Sequence, residues 1–284
     1  MIQSWLADPP EPVDPPEIRR GFLTLAEARA TLAANPDALA SLRSDLQMHT
    51  TYSDGRATLR EMVRAAAGRG YAHVTITDHS KGLPIAKGMD EARLAEQSRD
   101  ITVLNEELAA SGEVIRVLHS IEMNLSPAGE GDMDPTALAS LDLVLGAFHS
   151  KLRVTDDQTE RYLAALRNPD VQVMAHPRGR RYNARLGLRA DWSRVMRAAA
   201  ESGKALEIDA HPDRQDLDVE LLRVANEAGA FVSIGTDAHS VEELGSIELG
   251  LAAAQLAGIP RSRVLNFMGT EELLAWVSDV RVSA

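Results

Sequence analysis

Seven short apolar runs, most of them separated by a stretch of helical length, constrain this chain more than any other feature. The runs lie near 45–49, 72–78, 114–121, 141–148, 171–175, 205–209 and 230–236. Helical patterns fall between most of them, at about 57–69, 90–110, 158–167, 190–202, 216–228 and 242–257, with a last one near 270–278. Parallel strands cannot be joined by a tight turn and need a crossover, usually a helix. The alternation therefore predicts a parallel sheet covered by helices. A doubly wound sheet and a closed (β/α) barrel both satisfy it. No glycine-rich dinucleotide or phosphate loop follows any run, which argues against a nucleotide-binding sheet. Ahead of the first run, residues 9–16 read PPEPVDPP, an extended linker by composition, and residues 24–43 hold one or two short helices. The expected division is an N-terminal extension over 1–43 and a barrel over 44–284.

The runs share a type of ending. His49, His79, His149, His176 and His239 close five of them, with Asp237 two residues before the last and Glu122 just after the third. In a barrel of parallel strands these ends converge on one face, where loops build the active site. Side chains two apart on a strand point the same way, so Gln47 joins His49, and Asp237 joins His239, in one pocket. The chain has no cysteine, so a cluster of this kind is a nitrogen and oxygen site, suited to Mn, Fe or Zn. Clustered carboxylates repel unless protons or cations intervene, and bound metal resolves that repulsion. One such histidine alone is more often a hydrogen-bonded structural residue. Five of eight at equivalent positions is a pattern that chance seldom gives. His73 opens its run, and His119 stands three residues before Glu122 and faces the other side, so both are expected to be structural. His211, in IDAHPDRQD, is expected near the site as a substrate contact or a bystander.

Composition narrows the partners. No run of 18 apolar residues occurs, so no membrane span is expected. The N-terminus lacks the basic start and apolar core of an export signal, and zero cysteines fit a reducing compartment, so a cytoplasmic location is expected. A net charge of −12 opposes indiscriminate binding to duplex DNA. Five arginines nevertheless crowd between residues 178 and 189, beginning two residues after His176. Guanidinium forks grip phosphate oxygens in bidentate fashion, and a string of them suits a polynucleotide backbone. Lys81, Lys151, Arg178, Arg180, Arg214 and His211 are the expected substrate contacts, with Tyr52 and Tyr182 placed to stack on a base.

DLQMHTTYSDG, TDHS, IEMNL, GAFHS, AHPRG and GTDAHS come in the order and approximate spacing of the PHP (polymerase and histidinol phosphatase) family, which the chain resembles over residues 44 to 280. The resemblance implies a distorted (β/α)7 TIM-like barrel and up to three metal ions hydrolysing phosphoesters. It is strongest to the C-terminal PHP domain of bacterial X-family DNA polymerases, through Gln47, TDHSKGLPIAKGM, ALEIDAHPDRQDL and PPEIRRG at 15–21. The 43 residues before the barrel are too few for a polymerase domain, so a free-standing relative or a piece of something longer is expected. By position the resemblance implies His49, Asp54, His79, Glu122, His149, His176, Asp237 and His239 as ligands. Glu122 would bridge two ions, one completed by His149 and His176 and the other by His49 and Asp237, while Asp54, His79 and His239 would hold a third. Gln47 stands where most members have histidine, either as a weaker ligand or to orient His49 or water.

The implied chemistry is attack on phosphorus by a metal-activated water, with His49, Glu122 and Asp237 at its centre and Asp237 as a possible proton acceptor. No nucleophilic cysteine or nucleophile elbow is present for a covalent route. Three functions follow. The first is a nuclease working on DNA 3′ ends, with a polymerase or repair partner acting in trans. The second is a phosphatase of small molecules of the histidinol-phosphate type. The third is a non-catalytic, metal-binding barrel, disfavoured because eight ligand positions are intact.

Overall fold

A computed structural model describes residues 16–283, so the proline-rich stretch lies, apart from Pro16, outside the described residues. The strands are β1 (Ser44–Asp45), β2 (His73–Ile76), β3 (Arg116–Asn124), β4 (Leu143–Ala147), β5 (Val173–Met174), β6 (Ala205–Asp209) and β7 (Phe231–Gly235). Each pairs in parallel with the next in sequence. Right-handed crossovers that always step the same way keep the crossover helices on one face. The other face is buried only if the sheet curls onto itself. It does so nearly completely. The Leu46 N–H donates to the Ile234 carbonyl at 3.2 Å, and the Asp237 N–H to the Gln47 carbonyl at 3.1 Å. A parallel bridge joins Met48 to Ala238 across the same seam. Of the two expected architectures, the barrel is the one formed.

The helices are α1 (Leu25–Ala33), α2 (Pro36–Ala40), α3 (Leu59–Ala67), α4 (Glu91–Ser111), α5 (Pro135–Leu138), α6 (Thr159–Leu166), α7 (Trp192–Glu201), α8 (Val219–Ala228), α9 (Ile247–Leu256) and α10 (Thr270–Ser283). Local sequence sets their starts. Thr24 with Glu27 and Thr58 with Glu61 form capping boxes at α1 and α3, and aspartates 90, 191 and 218 cap α4, α7 and α8. α1 lies against α9, which ties the segment before the barrel to its outer layer.

Alternation along the strands separates two cores. Val117, Ile121 and Met123 of β3, Val144 of β4, Leu206 and Ile208 of β6 and Val232 and Ile234 of β7 belong to the cluster that the surrounding helices cover. Their neighbours Leu118, Leu143, Leu145, Val173 and Ala205 form a second cluster with Leu273, Trp276, Val277 and Val280 of α10. α10 thus plugs one end of the barrel. β3 extends to Asn124, so Glu122 lies within the strand, beside Leu145 of β4, rather than after its end.

Candidate metal centre

Residues on the α10-facing side of each strand change character along the strand. Leu118 gives way to Ser120 and Glu122 on β3, Leu145 and Ala147 to His149 beyond β4, and Ala205 to Glu207 and Asp209 on β6. All of Gln47, His49, Glu122, Glu207 and Asp209 are fully buried. A barrel interior holding this much polarity cannot be a simple apolar core.

Glu122 is the hub. Its carboxylate lies 2.7 Å from His176 Nε2, 3.0 Å from His149 Nε2, 3.2 Å from His79 Nδ1 and 3.4 Å from His49 Nε2. Gln47 Nε2 also donates to it at 3.1 Å, so the glutamine orients the central carboxylate through its amide. Burial opposes ionisation of Glu122, but His79, His176 and His149 outweigh it and hold the carboxyl well below its usual range. His49 Nε2 lies 2.9 Å from Asp237 Oδ1, and its ring is stacked between those of His79 and His239, at 4.4 and 4.3 Å between centroids. Asp54 meets His239 at 3.2 Å and His79 at 3.6 Å. His79 is pushed down to about 3 by burial. Burial also opposes the charge of His239, but the Asp54 hydrogen bond and the Asp237 carboxylate prevail and raise it to about 9. For Asp237, Arg214 and then His49 overcome the effect of burial and lower its pKa.

Backbone geometry delivers these groups. Strict alternation would turn His176 outward with Met174. Its left-handed φ of 28° turns the ring inward instead, and Glu207 Oε2 accepts the His176 N–H at 2.6 Å. Gly235 lets Gln47 and Glu207 approach: an added Cβ would lie 2.5 Å from Gln47 Cβ and would collide with Glu207 Oε1. Gly55 folds its loop against His49, where a Cβ would meet the Thr50 nitrogen at 2.6 Å. That loop is pinned by Asp78, which accepts from Thr50 N, Thr50 Oγ1, Ser53 N and Gln97 Nε2. Asn124 Oδ1 meets His149 Nδ1 at 3.2 Å.

Donors and burial fit a cation cluster. Three groups bring their ligand atoms within 4.8 Å of one another: His49, Asp54, His79 and His239; His79, Glu122 and His149; and His49, Glu122 and Asp237. The Nδ1 atoms of His49 and His176, with Gln47 Oε1, are buried without a hydrogen-bond partner, and His79 Nδ1 has only the ionic approach of Glu122. Orphaned imidazole nitrogens cost free energy unless something binds them, and neutral imidazoles beside carboxylates are divalent-metal donors. All eight sequence-identified ligand residues stand in this cluster. The grouping differs in two respects from the one expected by position: His79 rather than His176 shares a group with Glu122 and His149, and His49 joins Asp54, His79 and His239, while His176 Nε2 meets the cluster at Glu122.

The expected substrate residues divide. Arg214 is at the centre, with Nε 3.1 Å from Asp237 Oδ2 and 3.5 Å from Asp209 Oδ2. His211 is turned to Asp213 at 2.7 Å. Lys81 is paired with Glu91 at 2.6 Å, and Lys151 adopts a left-handed φ of 51°. Arg178 and Arg180 depart from the expectation. Both pair with Asp218, at 2.6 and 3.2 Å, and Arg180 is only 4% exposed. Its guanidinium is held by the carbonyls of Arg214 and Gly21 and by the Phe22 ring, so it serves the fold rather than a phosphate. Tyr52 gives its hydroxyl to Asp100, and Tyr182 packs edge-on against Phe22. His73 and His119 are structural, bonded to Thr270 and Gln97. Sequence reading missed Glu207 and Asp209, although the alternation in ALEID puts two acids on one face of a buried strand. Both are raised well above the carboxylate range by burial and by neighbouring carboxylates.

Comparison with known proteins agrees with this geometry. Residues 45–211 match the family model described as PHP domain. The chain is 35% identical over 267 residues to the DNA polymerase/3′-5′ exonuclease PolX of Bacillus subtilis, covering 94% of this chain but 46% of that protein. It thus spans about half the length of that relative. A probable phosphatase of Thermoanaerobacter sp. is 28% identical over 235 residues, covering 78% of this chain and 89% of the relative. Among solved structures, histidinol phosphate phosphatase from Lactococcus lactis, complexed with zinc, L-histidinol and phosphate, superposes with a TM-score of 0.55. That match has 19% identity and covers 77% of this chain and 94% of the other, so it speaks for the fold. With a family model over more than half its length, and a barrel whose strand ends gather the histidines and acids, the chain belongs to the PHP domain family and is a hydrolase of phosphoester bonds.

Proposed function

We propose that this protein is a metal-dependent phosphodiesterase that shortens DNA from its 3′ end, using two or three divalent ions (Mn, Zn or Fe). The observation that carries this reading is the 35% identity, over 94% of the chain, to a protein named as a 3′-5′ exonuclease. His49, Glu122 and Asp237 would hold one ion, Glu122 with His79, His149 and His176 a second, and Asp54 with His79 and His239 a third. Bound cations supply Lewis acidity, drawing the pKa of water from 15.7 towards about 7 and neutralising phosphate charge.

The chain's own residues supply the rest. Gln47 fixes the Glu122 carboxylate, and Asn124 and Asp78 hold His149 and the Asp54 loop. Arg214, beside Asp237, would grip a phosphate oxygen. Arg185 stands near Arg214, Arg153 and Arg181, whose charges add to burial in lowering its pKa, and a second phosphate would meet several guanidinium groups there. A polynucleotide offers such phosphates at regular spacing and a small phosphomonoester does not.

The alternative is a small-molecule phosphatase, favoured by the fold shared with the L-histidinol-bound enzyme. One panel decides between them. The purified protein, with manganese, is given 3′- and 5′-labelled oligonucleotides, histidinol phosphate and an aryl phosphate. The expected result is a ladder of shortened oligonucleotide, abolished in Asp237→Ala. Turnover of histidinol phosphate with the oligonucleotides intact would establish the alternative.

A further inference from the structure

Arg214 stands at the tip of a loop that doubles back on itself. The Asp209 N–H donates to the Asp216 carbonyl at 2.6 Å and the Asp216 N–H to the Asp209 carbonyl at 3.1 Å. Within the turn the Arg214 N–H donates to the His211 carbonyl at 2.9 Å, and Asp209 Oδ2 lies 3.5 Å from Arg214 Nε. The loop is also held from outside, by the segment that leads into the barrel. Gln215, the residue after Arg214, grips the Leu23 backbone with both ends of its amide: Oε1 accepts the Leu23 N–H at 2.7 Å, and Nε2 donates to the Leu23 carbonyl at 2.9 Å. Arg180 makes a second clasp, donating from Nε to the Arg214 carbonyl at 2.9 Å and from Nη2 to the Gly21 carbonyl at 2.7 Å. Its guanidinium carbon lies 3.9 Å from the centroid of the Phe22 ring. Arg19 bonds Asn183 at 2.9 Å and so ties the same segment to the arginine-rich loop. Gln215 sits at a φ of 43°, a conformation a residue with a side chain adopts only when its surroundings impose it.

We infer that residues 19–23 form a strap that positions the phosphate-gripping Arg214 at the metal centre, with Gln215 as the positioning residue between them. The strap lies far from β6 in sequence, yet three of its backbone carbonyls, those of Arg20, Gly21 and Leu23, are bonded to the residues that flank or hold Arg214. An anchor for α1 alone would not need that, because α1 already packs on α9. Residues 19–23 therefore reach the arginine beside Asp237 through Gln215 and Arg180. The inference deepens the functional proposal and rests on its reading of Arg214.

The probe is inorganic phosphate, titrated calorimetrically into the manganese-loaded protein, with metal content measured on each variant. Arg214→Ala should weaken phosphate binding by about tenfold or more, as loss of a charge-assisted contact does. Gln215→Leu should weaken it by about three- to tenfold with metal content unchanged, and Gln215→Glu, which keeps the acceptor and loses the donor, should fall between. Phe22→Ala loosens the strap from the other side and should act in the same direction. The decisive measurement is the pair: in the Arg214→Ala background, Gln215→Leu should cost nothing more. Additive losses, or unchanged binding in both Gln215→Leu and Phe22→Ala while Arg214→Ala is impaired, overturn the strap and leave the reading of Arg214 standing. Unchanged binding in Arg214→Ala removes both.

Discussion

The two ends of the barrel interior are built from the same strands and do opposite things. At the plugged end, Leu118, Leu145, Val173 and Ala205 close around Trp276 and its neighbours on α10. At the open end the same strands, or the residues just beyond them, present Glu122, His149, His176 and Asp209. One end gains free energy from removing apolar surface from water; the other loses it by burying carboxylates and imidazoles, and recovers it through mutual pairing and, on the proposed function, through the cations those groups would hold. Stability and chemistry are thus divided along the axis of one barrel, so a substitution should affect one property more than the other according to its height in the barrel.

The largest effects belong to the open end. Asp237→Ala and Glu122→Gln should each reduce phosphoester hydrolysis by at least ~100-fold while leaving circular dichroism unchanged. Activity above a tenth of the parent in both would undo the division. At the plugged end, Trp276→Ala should cost about 3–5 kcal/mol in urea unfolding, the usual result of emptying a large buried site, with activity per folded molecule within about twofold. A comparable loss of turnover in folded protein would show that the two ends are coupled.

Removing metal tests what repays the buried charge. Ions held at 100 times their Kd stabilise by about 2.7 kcal/mol, so chelator should lower Tm in the parent, and much less in Glu122→Gln. Acid supplies the mildest test. Burial holds His73 and His119 neutral, with pKa values lowered from 6.5 to about 4. The unfolded chain then binds more protons than the folded one between those values, so stability is lost as pH falls from 6.5 towards 4, by an amount on the order of 2 kcal/mol per group. A His73→Asn, His119→Gln double variant should show a shallower acid limb in urea midpoints measured against pH. An unchanged limb would show that neither ring takes up its proton on unfolding.

How much of this was legible depended on the range of the signal. The alternation of apolar runs and helical stretches is local, and it located all seven strands to within a few residues. It left the closure open, because barrel and open sheet share one local pattern, and the hydrogen bonds across Leu46 and Ile234 decide between them. The strand-end histidines were visible because five of one scarce residue type recurred at one structural position. Glu207 and Asp209 went unread because acids in a short apolar run are easily taken for its polar margin, and only their position inside the barrel gives them weight. Arg178 and Arg180, in the arginine-rich loop, stand apart from the expectation for the opposite reason. The loop's charge was plain in sequence, while Asp218, which claims Arg178 and Arg180, lies 38 residues from Arg180.

The sequence by itself determined the elements, their parallel order and the residues able to bind a cation, because propensity, periodicity and donor chemistry act over a few residues. Only the tertiary structure decided which nitrogen faces which oxygen, that Gln47 serves Glu122, that His176 turns inward and that the strap reaches Arg214. Those are contacts between distant segments, and their geometry depends on how the barrel closes rather than on any stretch of chain read alone.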